Sequence, residues 1–185
     1  INGIEGPRQT EIRAMVSGNP GKQAKLLLLR DDAQVIVNAT VNRQGMIGVL
    51  LDPATDLPRI AKPLDRAAQE SGGEEITTPI APLQLLPRSR IDSIASKPVT
   101  SWKTLRQHLL QATKGALDTG NDATVNITWS SPLADSQSES GSIVIPIDTV
   151  KKLHALGYEA PLSALLFEPL MTTLTANGNP LKAIS

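Results

Sequence analysis

Arg88-Ser-Arg-Ile-Asp-Ser-Ile-Ala-Ser-Lys-Pro-Val-Thr-Ser-Trp-Lys-Thr-Leu-Arg-Gln-His-Leu-Leu110 reads as strand, turn, helix. Ile91 and Ile94 lie in a short extended run, and Ser96-Lys97-Pro98 breaks it. Thr100 or Ser101 then caps a helix whose apolar positions Trp102, Leu105, Leu109 and Ala112 fall three or four apart, the spacing that puts side chains on one helical face. No residue in the stretch forms a recognisable catalytic constellation.

A diluted copy of the same order opens the chain. Ile1-Asn2-Gly3 ends a strand in a turn, and Gln9 to Val16 places Ile12, Met15 and Val16 on one helical face. Ser17-Gly18-Asn19-Pro20-Gly21 stops that helix. Laying Ile1 on Ile94, Ile12 on Leu105 and Val16 on Leu109 gives an offset of 93 residues each time. That period is too long for a solenoid and suits two tandem copies of a small α/β module, the first lacking its beginning. The start at Ile1, in mid-pattern, fits a piece of a longer protein.

Between the copies, Gln23 to Arg30 and Gln34 to Val41 predict a hairpin turning at Asp31-Asp32-Ala33, with Val35, Val37, Ala39 and Val41 on one face. Met46 to Leu51 reads as an apolar strand in which Gly48 marks a bulge or a close backbone approach. Residues 52–78, rich in proline, glycine and charge, read as an exposed insertion, and Ile80 to Leu86 as a short helix ended by Pro87. Gln111 to Asn121 reads as a polar loop. Thr124 to Trp129 and Ser142 to Ile147 then form two strands around a serine-rich tip.

Composition bounds the function. Lysine plus arginine and aspartate plus glutamate balance at 18 each, and aromatic residues make up 2%, which argues against nucleic acid as a partner. The chain has no cysteine, so it has no disulfides or thiolate metal sites, and no run approaches the roughly 20 apolar residues of a spanning helix. His-Glu-x-x-His, Gly-x-Ser-x-Gly, Gly-x-Gly-x-x-Gly and phosphate-loop patterns are absent. With only His108 and His154, a metal site is not expected, nor is any catalytic residue.

Three places resemble the tandem PDZ region of bacterial site-2 proteases, the membrane-embedded zinc metalloproteases of regulated intramembrane proteolysis. Leu86 to Ile94 is similar to the family's Leu-x-x-Gly-Asp-x-Ile-x-x-Ile/Val strand, and Lys97-Pro98-Val99-Thr100-Ser101-Trp102 to its turn into the groove helix. Ile1-Asn2-Gly3 matches the Ile-Asn-Gly or Val-Asp-Gly that follows the same strand in the first copy, and Asn19-Pro20-Gly21-Lys22, then the strand ending in Arg30, is a further similarity. The tail, Leu156 to Pro161 and Asn179 to Ile184, is similar to the family's return to its next transmembrane helix. The chain departs from the pattern at Arg88-Ser89, where the family favours glycine and aspartate, and at Ala95-Ser96, where it favours a polar residue and glycine.

The resemblance implies a mostly-β α+β fold: two PDZ-like partly open barrels capped by short helices. Residues 1–44 would be the end of a first domain, 45–147 a second with an insertion around 52–78, and 148–185 a juxtamembrane connection. It implies a peptide groove formed by Ile47, Gly48 and Val49 as the backbone element and by Trp102, Leu105 and Leu109 as the helical wall, although an amphipathic helix buries most of such a stripe as ordinary core. It further implies a periplasmic or extracytoplasmic regulatory segment, non-catalytic in itself, that gates substrate access to the membrane-embedded protease domain of the same chain and secondarily binds substrate C-termini. Any zinc would belong to the parent protein outside this segment. Two alternatives are a PDZ substrate-positioning module of a periplasmic serine protease and a plain protein-interaction scaffold.

Overall fold

Each of the two expected helix starts forms where its apolar spacing places it, and a hairpin follows each. A computed structural model describes residues 1–30, 33–48, 50–68, 75–133, 137–155, 166–169, 171–174 and 180–181. The turn at Asp31-Asp32, Val49, most of the Gln69–Glu75 loop and most of the tail resemblance lie outside the described residues. The fold is α+β, with three α-helices and separate antiparallel sheets among the described residues.

The chain divides into two compact units, Ile1–Ala54 with Pro169–Ser185, and Thr55–Glu168. The segment 45–54 thus falls with the first unit, because Leu50–Pro53 (β3) pairs with Met171–Leu174 (β10) instead of with a strand of the second. β10 also pairs with Pro180–Leu181 (β11), so the tail contributes strands to the first unit.

In the first unit, α1 (Gln9–Ser17) buries Ile12 and Val16. Glu11 closes the helix start by accepting the Arg8 backbone N–H at 2.9 Å. The hairpin of β1 (Gln23–Arg30) and β2 (Ala33–Thr40) follows in full register, Gln23 opposite Thr40. Val35, Val37 and Ala39 are more buried than Gln34, Ile36, Asn38 and Thr40, as the alternation predicts, and Val41 is fully buried. Ile1, Ile12, Val16, Ala24 and Val41 make one small core, with Met15, Leu26 and Ile47 packed on it. The expected strand over Met46 to Leu51 forms only from Leu50, since Gly48 turns left-handed at φ +73°.

The second unit is built on a four-stranded sheet, in order β7 (Lys97–Pro98), β6 (Arg90–Ile94), β8 (Ala123–Ser130), β9 (Ser138–Ile145). Alternation on β8 buries Ala123, Val125, Ile127 and Trp129. α2 (Trp102–Thr119) lies against β8 and β6, and α3 (Ile147–Ala155) packs on α2. The core gathers Ile91, Ile94, Trp102, Leu105, Leu109, Ile127, Ile145 and Phe167 among others.

Several expectations are revised. Among the described residues, none of the sheets closes into a barrel, and the edge strand β7 spans just two residues ending in Pro98, which lacks the N–H a further ladder bond needs. α2 is not short: it runs through the expected loop from Gln111, because Ala112, Ala116 and Leu117 continue its apolar stripe against the core, and Gly120 ends it at φ +72°. The insertion holds a short hairpin of β4 (Arg66–Ala68) and β5 (Glu75–Thr77), flanked by Ile60, Ala61 and Ile80, which are buried in the second unit. Ile80 to Leu86 contains a single 3-10 turn, Ala81–Leu83. α3 replaces the start of the expected connecting segment. Among the described residues, no helix is long and apolar enough to cross a membrane.

Candidate functional site

The helix expected to wall a groove starts as its sequence dictates. The Ser101 hydroxyl accepts the Thr104 N–H at 3.2 Å, and the Thr104 hydroxyl oxygen accepts the Thr100 and Ser101 N–H groups at 3.0 Å, so donors of the first turn are satisfied locally. That start aims Trp102, Leu105 and Leu109 inward. They are 3%, 0% and 0% exposed, packed with Ile91, Ile94, Val125 and Ile127, and each contributes on the order of 2 kcal/mol as core. The structure brings these three side chains together, as interior. The Trp102 Nε1 and His108 Nδ1 atoms are shut off from solvent without a hydrogen-bond partner among the described residues.

Ile47 and Gly48 belong to the first unit. Ile47 packs on its core, while Gly48 is exposed, and a Cβ added there would meet nothing within 4 Å. Asn42 organises the loop before them: its side-chain oxygen accepts the Gln44 and Met46 N–H groups at 2.9 Å each. Val49 lies outside the described residues.

The turns show a feature that sequence reasoning recorded only as departures from a pattern. Arg88, Ala95 and Ser96 have φ of +72°, +48° and +64°, and Gln84 has +49°. In the first unit, Asn2 and Gly3 stand at +46° and +87°. Adding 93 carries Asn2 to Ala95 and Gly3 to Ser96, so the two turns share a left-handed backbone with different residues. The strand after the helix closes both turns alike: Asn2 N donates to Lys25 O at 2.9 Å, and Ala95 N to Asn126 O at 2.8 Å.

A polar cluster lies beside the second unit's turn. Residues 58–60 run antiparallel to 88–91, with Ile60 N bonded to Ser89 O, Ile91 N to Pro58 O, and Arg59 directly opposite Arg90. Arg59 Nη1 donates to the Arg88 carbonyl at 3.2 Å. Asp92 accepts Arg90 Nε at 2.7 Å on one oxygen and the Ser130 and Ser138 hydroxyls at 2.5 and 3.4 Å on the other. Burial, then Arg90 and Arg88, push the Arg59 pKa below its ordinary value, with Asp92 opposing. Nearby, a cleft of about 300 Å³ is lined by Leu83, Gln84, Leu86, Ser89, Trp129 and Glu139 among others.

His154 Nε2 lies 2.9 Å from the Thr113 hydroxyl, which also bonds the Leu109 carbonyl inside α2. Among the described residues, no group of three or more His, Cys, Asp or Glu side chains could hold a metal ion. In comparison with known proteins, the chain matches neither a protein-family model nor a curated protein sequence.

Proposed function

We propose that the chain is a non-catalytic pair of PDZ-like modules that regulates an intramembrane zinc metalloprotease carried on the same polypeptide, at the extracytoplasmic face of a bacterial membrane. One observation carries the reading. The turn at Asn2-Gly3 and the turn at Ala95-Ser96 have the same left-handed backbone, a like bond from the first turn residue to the strand after the helix, and a helix starting seven residues after that residue. Arg88 adds to it, keeping at φ +72° the conformation that glycine would supply in the resembled pattern.

Within that reading, steric gating of substrate access comes before C-terminal peptide capture. Capture by strand addition requires side chains that face a groove, and Trp102, Leu105 and Leu109 are consumed by the core. Two measurements test the proposal. The polypeptide carrying this chain is expected to hold His-Glu-x-x-His in an apolar stretch before Ile1 and a span of roughly 20 apolar residues after Ser185. Absence of both would leave the serine-protease module or the plain scaffold. Calorimetric titration with peptides ending in apolar residues is expected to show no saturable heat. Micromolar binding abolished by Gly48→Trp would overturn gating alone in favour of capture.

A further inference from the structure

We propose that Arg59, Arg88 and Arg90 form a binding site for a single oxyanion, a carboxylate or a phosphate group. Three observations converge on it. Arg59 and Arg90 are directly opposite in a pair whose flanking backbone bonds, Ile60 N to Ser89 O and Ile91 N to Pro58 O, mark the register in which facing side chains come closest. Like charges in that position oppose folding unless something compensates them. Asp92 supplies one negative charge and is committed to Arg90, Ser130 and Ser138, so among the described residues two of the three positive charges lack an ion-pair partner.

Arg88 is the second observation. Its backbone is left-handed, a conformation unfavourable for a side-chain-bearing residue, and its Nε is closed to solvent with no partner among the described residues. A strained residue with an unpaired buried donor is the combination that points to a ligand. Third, Arg59 is held in place by its bond to the Arg88 carbonyl, and burial together with the two other guanidiniums disfavours its charge. An oxyanion would relieve that crowding and pair with the planar forks that guanidinium groups present. The chain's balanced total charge favours one compact anionic group over an extended polyanion. None of these residues belongs to the helical stripe or the Gly48 loop, so the site does not depend on the peptide-groove reading.

The test follows the arginine Nε–Hε resonances of the intact chain by NMR at low ionic strength. Inorganic phosphate and an uncharged-terminus triglutamate peptide are titrated separately. Saturable shifts at Arg88 and Arg59 are expected with at least one probe. Phosphate alone would identify a free anion, and tighter binding of the peptide, displaced by phosphate, would identify an acidic protein segment. Arg88→Gly removes the unpaired donor while suiting the backbone, so it should weaken binding by about tenfold or more without lowering the urea midpoint. Ser96→Gly, at the neighbouring turn, should leave affinity unchanged. Arg59→Gln gives a second variant with the charge removed and should also weaken binding. Purely linear shifts with both probes, or unchanged affinity in Arg88→Gly and Arg59→Gln, would overturn the site.

Discussion

Arg88 and Ser96 hold the same kind of backbone for different reasons, and substitution separates them. A side chain in the left-handed region costs about 1–2 kcal/mol, and glycine gives back about 0.5–1 kcal/mol through its freer unfolded state. Ser96 is exposed, so Ser96→Gly reads the backbone effect alone and should stabilise the second unit by about 0.5–1 kcal/mol. Arg88→Gly should stabilise it further at low salt, since it also removes one of three crowded guanidiniums. That excess should shrink as added salt screens the charges. Urea unfolding at two ionic strengths measures both effects, and a destabilised Arg88→Gly would show that the guanidinium earns its place through packing alone. The departures at Arg88-Ser89 and Ala95-Ser96 were legible in the sequence, but the backbone they adopt was not. Local preference opposes a left-handed arginine, and the bonds of Arg88 N to Ile60 O and Ala95 N to Asn126 O impose the turns from residues distant in sequence.

On α2, one substitution made at two glycines should have opposite signs. Gly115 is exposed in the helix interior and has open space at its Cβ position, so Gly115→Ala should stabilise by about 0.5–1 kcal/mol. Gly120 also has open space but ends the helix at φ +72°, and Gly120→Ala should destabilise by about 1 kcal/mol. Chemical denaturation followed by helical circular dichroism checks the pair, and equal signs would contradict the assigned helix end. Leu105→Ala, at a fully buried position, should cost about 2–5 kcal/mol, far more than truncating a solvent-facing groove wall. The start of this helix was legible from Ser101 and the Trp102, Leu105, Leu109 spacing. Its last two turns were not, because Gly115 and the polar run looked like a loop whereas Ala112, Ala116 and Leu117 decide by packing. α3 was missed for a related reason: Val150 is fully buried and Asp122 accepts the Ile147 N–H at 2.9 Å, tertiary support that a short segment does not advertise.

At the scale of the whole molecule, the 93-residue offset relates the two turns and the two helix starts, while the two compact units divide the chain elsewhere than before residue 45. The sequence-based boundary before residue 45 followed chain order, whereas β3 finds its partner in β10, more than a hundred residues later. No local pattern encodes such a pairing. The two units have separate cores, and their sizes lead to a prediction about unfolding. Among the described residues, five buried apolar side chains form the first core and nineteen the second. At about 1.5–3 kcal/mol for each fully buried large side chain, the described part of the first core has far less to set against chain entropy than that of the second, and on that footing the first unit should melt first. Both tryptophans, Trp102 and Trp129, belong to the second unit, which makes their fluorescence a reporter of that unit alone. Thermal unfolding should therefore show an early step in far-UV circular dichroism that fluorescence does not follow. Val41→Ala, at a fully buried position of the small core, should lower the early midpoint by several degrees and leave the fluorescence midpoint in place, whereas Leu105→Ala should do the reverse. Coincident midpoints for both probes, shifted equally by Val41→Ala, would mean that the units unfold as one cooperative body despite their separate cores.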